Sequence, residues 1–131
     1  MHIKPSSRRW LGLLLVVWLV GMLFPMALPG KSWTAYRNVF NAVFHPQWVH
    51  VVMHLALFTG LALLLGILFH MQAGWRTLGL LLAAAMLVGV GQEILQALSQ
   101  GFFYSGGAVF DLGIDLLGAS VGYLTLKVIH K

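Results

Sequence analysis

Residues 49–69 read VHVVMHLALFTGLALLLGILF, an apolar run broken only by two histidines, one threonine and two glycines. A helix needs about 20 apolar residues to cross the hydrocarbon core of a bilayer. The run does not alternate between apolar and polar, as a strand of a membrane barrel would. Three further stretches match it, at residues 10–28 (Pro25 near the end), 78–98 and 109–129. The expected fold is therefore all-α: a polytopic membrane protein built as a bundle of four transmembrane helices. No internal repeat or long linker divides the chain, so residues 1–131 form a single transmembrane domain.

Composition points the same way. The 131 residues are 60% hydrophobic and only 8% charged, where soluble domains carry about 25% charged residues. One domain of this length cannot bury so much apolar surface from water, which excludes a soluble enzyme. A disordered chain is excluded as well, since it would need low hydrophobicity. Cysteine is absent, so there is no disulfide framework, thiol nucleophile or Cys-ligated zinc. A formal charge of +5 would suggest nucleic acid in a soluble protein. Here the cations flank the apolar runs and read as membrane anchors, so no nucleic-acid partner is expected.

The cations also give a direction. Lys4, Arg8, Arg9, Arg76, Lys127 and Lys131 fall on one side of the four spans, and Lys31 and Arg37 on the other. Six against two predicts that both termini are cytoplasmic. The first span follows a basic tail, as a signal peptide does. It is long for one and lacks a small-residue cleavage site, so it is expected to stay as an anchor. In the first outer loop, Trp33, Tyr36, Phe40, Val43 and Phe44 recur at helical spacing, opposite Thr34, Arg37, Asn38 and Asn41. This predicts a short amphipathic interfacial helix, N-capped by Ser32 and stopped at His45-Pro46. An ordered loop of belt aromatics is the alternative.

Ionisable groups inside a bilayer cost about 2.5–3.5 kcal/mol each at the helix centre, so each one is a site candidate. The spans contain His50 and His54, then Glu93 with Gln92, Gln96 and Gln100 nearby, then Asp111 and Asp115. With the orientation above, all of them fall in the outer half. His50/His54 and Asp111/Asp115 are i, i+4 pairs, each on one helix face. Gly118 and Gly122 continue the Asp111/Asp115 stripe as a small-xxx-small packing motif. The candidate polar pocket is His54, Glu93, Gln96, Asp111 and Asp115, with Gln96 orienting Glu93. Three carboxyls cannot all ionise cheaply in so poor a dielectric. Such a group can do acid–base chemistry, or lock the helices together by hydrogen bonds. No cofactor or metal is expected; the alternative is a divalent cation held by His50, His54, Asp111 and Asp115. A Ser hydrolase triad is not expected, because Ser105, in the third loop, is the only serine near His54.

These residues carry a resemblance. Glu93-Ile-Leu-Gln96 is similar to the E-x-x-Q of the VanZ-like family of small four-span bacterial membrane proteins. Asp111-x-x-x-Asp115-x-x-Gly118-x-x-x-Gly122 resembles that family's D-x-x-x-N-x-x-G-x-x-x-G, and His54 its histidine near the head of span two. The likeness covers most of residues 46–125. The chain departs from the family pattern at several positions. His50 and Val51 stand in place of Asp and Lys, Phe58 in place of Tyr, and Asp115 in place of Asn, while residues 100–110 contain no cation. An activity that needed those cations would be lost here. The resemblance implies a role at the bacterial cell envelope, in the inner membrane, connected with low-level glycopeptide resistance. The expected function is a pocket that binds or modifies an envelope lipid or glycopeptide-like molecule. The alternative is a non-catalytic accessory subunit of a larger membrane complex. Expected partners are membrane lipids and other transmembrane subunits.

Overall fold

The computed structural model describes residues 5–25, 29–44, 46–101 and 105–129. In chain order these form α1 (Pro5–Leu23), α2 (Pro29–Ser32), α3 (Thr34–Phe44), α4 (Gln47–Leu68), α5 (Trp75–Gln100) and α6 (Ser105–Ile129). The fold is all-α, and no strand occurs among the described residues. Helices α1, α4, α5 and α6 are each long and apolar enough to cross a membrane. At 1.5 Å per residue, the 22 residues of α4 reach about 33 Å. The chain is a polytopic helical membrane protein.

The helix ends differ from the hydropathy boundaries for local reasons. The first helix stops at Leu23 and not at residue 28. Pro25 disfavours helical backbone at Phe24 and offers no N–H of its own. Residues 26–28 lie outside the described residues, as do Lys4, His45 and Lys131. Helix α5 extends past residue 98 to Gln100 and ends at Gly101, whose φ of 80° is the left-handed conformation that suits glycine. Helix α6 begins four residues early, at Ser105, so Ser105 opens a helix and does not lie in a loop. Hydropathy missed this start because Ser105, Gly106 and Gly107 carry almost no apolar surface.

The loop helix exists, with one correction at its start. Ser32 does not cap it; Ser32 closes the four-residue α2. Trp33 sits between α2 and α3, taking a backbone bond from its N–H to Pro29 and accepting one from Arg37. Helix α3 ends at Phe44, just before His45-Pro46.

Four helices assemble around α4. Its most extensive partner is α6, which also packs on α5, while α1 lies against α4 and α5. Buried Phe58, Leu61, Leu81, Ala85, Ala119 and Leu126 make the core. Phe58 is 0% exposed and packs without needing a polar partner. Gly118 and Gly122 set the α4–α6 distance. A methyl at Gly118 would meet the Leu55 carbonyl at 2.7 Å, and one at Gly122 would meet the Thr59 carbonyl at 2.8 Å. Thr59 Oγ1 also donates to the Gly118 carbonyl at 3.0 Å. On the other flank, Trp18 Nε1 donates to the Leu57 carbonyl at 3.0 Å, and its ring lies on Gly60. The rest of α1 is largely uncovered, with Leu13, Val16, Val17 and Val20 exposed.

Candidate functional site

Helices α4 and α6 are separated by one full crossing of the bundle and so run parallel. Equal spacings on parallel helices meet rung by rung. His50 Nε2 lies 3.1 Å from Asp111 Oδ2, and His54 Nδ1 lies 2.7 Å from Asp115 Oδ1. Both pairs span 61 positions in sequence. An ionised carboxylate only accepts, so the facing ring nitrogen carries the proton in each pair. The histidine rings lie against each other along α4, tilted by 45° with centroids 4.4 Å apart, and His54 stacks on Phe58 at 6.3 Å.

The two rungs differ in burial. The His50 and Asp111 side chains are 40% and 13% exposed; those of His54 and Asp115 are 8% and 2%. Asp115 is also held from a third side. A methyl placed on Gly89 of α5 would sit 2.7 Å from Asp115 Oδ2. The glycine thus makes the room into which the carboxylate is folded. Gly89 was not among the residues singled out from sequence. Its signal was present, since Ala85, Gly89 and Glu93 share one face at i, i+4 spacing.

Glu93 stands one turn from Gly89, close enough to Asp111, Asp115, His50 and His54 for their charges to act on it. It makes no hydrogen bond or ion pair among the described residues. Gln96 therefore does not orient it. Gln96 lines a cavity of about 330 Å³ at the α3 end of the bundle, together with His50, His54 and Gln92. The three acids are not on the cavity wall; His50 and His54, which are, hydrogen-bond to Asp111 and Asp115. Gln92 Oε1 is buried with no hydrogen-bond partner among the described residues. Buried acceptors of this kind are uncommon, and each asks for an explanation.

The rest of the cavity is lined largely by aromatic and aliphatic residues. Tyr36, Phe40 and Phe44 from α3 line it with Met22 and Leu23 from α1 and Leu57 from α4. Phe40 packs against Tyr36 at 5.8 Å and against Phe44 at 4.6 Å. Thus α3 turns its aromatic face onto the site; from sequence alone that face was assigned to the bilayer interface. The segment is tied down by Lys31 Nζ, which donates to the Ser99 carbonyl near the end of α5. His50, His54 and Asp111 can also each present one ligand atom within 4.8 Å of the others.

Fold and site together define a class: a four-span helical membrane protein with a His–Asp ladder behind a half-polar, half-aromatic cavity. No family model, curated protein or solved structure matches the chain.

Proposed function

We propose that this chain is a VanZ-like protein of the bacterial inner membrane, with both termini cytoplasmic and the cavity facing outward. In this reading it binds an amphiphilic envelope molecule, such as a lipid-linked or glycopeptide-like precursor. One observation carries the reading: the cavity lining combines His50, His54, Gln92 and Gln96 from α4 and α5 with aromatic and aliphatic residues, mostly from α1 and α3. An amphiphile needs both, polar groups for its head and apolar surface for the start of its chain. The volume of about 330 Å³ sits at the lower end of the roughly 300–1,000 Å³ usual for ligand sites, and suits a headgroup with a short length of chain. Gln92 lines this space too, with its Oε1 buried behind the wall. Where the molecule is modified as well as bound, His54 is the acid–base group. Asp115 holds its Nδ1–H, which leaves Nε2 to exchange the proton.

The test is mass spectrometry of the protein purified in mild detergent, followed by extraction of whatever is bound. The reading expects one envelope lipid per chain, lost in Gln92→Leu while the helical content is kept. A lone protein with an empty cavity would overturn it. A stoichiometric complex whose partner fills the cavity would overturn it in favour of the accessory-subunit role. Orientation is tested separately by a reporter fused after Lys131, which should be active only in the cytoplasm.

A further inference from the structure

Glu93, Asp111 and Asp115 gather at one end of the bundle, and no Lys or Arg forms an ion pair with them among the described residues. Among the described residues Asp111 pairs with His50 and Asp115 with His54, and Glu93 has no ion pair. Buried carboxylates are normally paired or coordinate a metal.

The geometry of the upper rung fits the second solution. Two ligand atoms bound to one tetrahedral zinc, each about 2.0–2.1 Å from it, lie about 3.3–3.4 Å apart. His50 Nε2 and Asp111 Oδ2 are 3.1 Å apart, a spacing that an ion accommodates with little movement. A ligand atom of His54 lies within 4.8 Å of both. Asp115, accepting from His54 Nδ1 at 2.7 Å, fixes the ring's tautomer and leaves Nε2 to bind, so that in the metal-loaded protein this nitrogen is a ligand and no longer an acid–base group. This carboxylate-on-histidine support is the usual outer shell of metal-bound imidazole.

We infer that His50, His54 and Asp111 form a binding site for a divalent first-row transition metal of the zinc class, with Asp115 as the residue that positions His54. Two imidazoles and one carboxylate favour such an ion over magnesium or calcium, which prefer all-oxygen shells. Three protein ligands leave a fourth position open, and His50 and His54 put it beside the cavity they line. The described lining of that cavity contains no Lys or Arg, so the ion would be its source of positive charge. It would let a phosphate-class headgroup enter a site that the acids alone would repel. Metal binding stands on the ladder geometry; the headgroup role rests on the amphiphile reading above.

The experiment uses untagged full-length protein in detergent, stripped with chelator and titrated calorimetrically with Zn²⁺. One saturable Zn²⁺ per chain is expected, with millimolar Mg²⁺ failing to compete. His50→Gln and Asp111→Asn should each weaken binding at least ten-fold, and His70→Gln, at the other end of α4, should leave it unchanged. Asp115→Asn should weaken it roughly 10- to 100-fold, as loss of an outer-shell partner does, and shift the visible bands of the Co²⁺-loaded protein. Wild-type protein that does not saturate, or binding that survives both His50→Gln and Asp111→Asn, overturns the site. If those variants do not fold, the wild-type Co²⁺ spectrum decides. Intense four-coordinate bands support the site; weak six-coordinate bands overturn it. Lipid retention is assayed in parallel on the protein as purified, on the stripped protein and on the Zn²⁺-reloaded protein, and lipid counts as absent only where none of the three holds it. Metal without lipid sinks only the amphiphile reading, and lipid without metal sinks only this one.

Discussion

The same two helices meet in two different ways along one seam. At the α3 end, α4 and α6 touch through His50–Asp111 and His54–Asp115. Further along they touch through Gly118 and Gly122, which approach the carbonyls of Leu55 and Thr59. The first half is held by complementary groups, and fails when one partner is removed. The second half is held by shape, and fails when atoms are added. The glycines set the distance at which the rungs can close.

The largest effect should come from breaking a buried rung on one side only. Asp115→Leu leaves His54 without its acceptor in a dry site, a loss of about 3–5 kcal/mol for a broken buried pair. Adding His54→Leu should recover most of that loss, since replacing both partners is often neutral. Reversible unfolding in mixed detergent and denaturing micelles measures both; a double variant no better than the single would mean the rung acts through shape.

Next come the glycines. Gly118→Leu and Gly122→Leu should each cost about 1–3 kcal/mol or more by overpacking, because their nearest obstacles include backbone. Gly66 lies on the same seam, but what it meets is the end of the Leu126 side chain, which can turn aside. Gly66→Leu should therefore cost less in the same assay. Equal losses at all three would remove the distinction between rigid and yielding neighbours.

Coupling across the polar half should be smaller. Asp111→Asn and Glu93→Gln should be non-additive by about 0.5–3 kcal/mol if they share one site. A double-mutant cycle of unfolding free energies reads this directly, and additivity would separate Glu93 from the ladder. Smallest is Thr59→Val, which removes the bond to the Gly118 carbonyl at 3.0 Å. Bonds of this kind between membrane helices average about 0.6 kcal/mol. A loss several-fold larger would mean the threonine holds the two halves of the seam in register.

Part of the ladder was legible before any coordinates. Two i, i+4 pairs of opposite character, on spans two and four, belong to helices that must run parallel in a four-span chain. Parallel helices with equal spacing can pair rung to rung, so His50 with Asp111 and His54 with Asp115 was within reach of the sequence. What could not be read was depth. The exposed upper rung and the sealed lower one have the same residue types, and only packing against Gly89 and Phe58 separates them. Glu93 and Gln96 show the reverse. Gln96 was expected to orient Glu93, yet Gln96 lines the cavity and Glu93 has no hydrogen bond among the described residues.

The sequence by itself determined that this chain is a set of membrane-spanning helices. Runs of about 20 apolar residues have no other stable solution in a bilayer, where every backbone group must be satisfied within its own segment. It also determined which helix faces are polar and which are small, because those depend only on 3.6-residue periodicity. Tertiary structure alone decided what those faces meet. The rotation of α5 put Gly89, and not a larger residue, against Asp115. The path of the loop turned the aromatic row of α3 onto the cavity, with Lys31 anchored at Ser99. Both choices depend on contacts between residues far apart in the chain, and no local spacing records them.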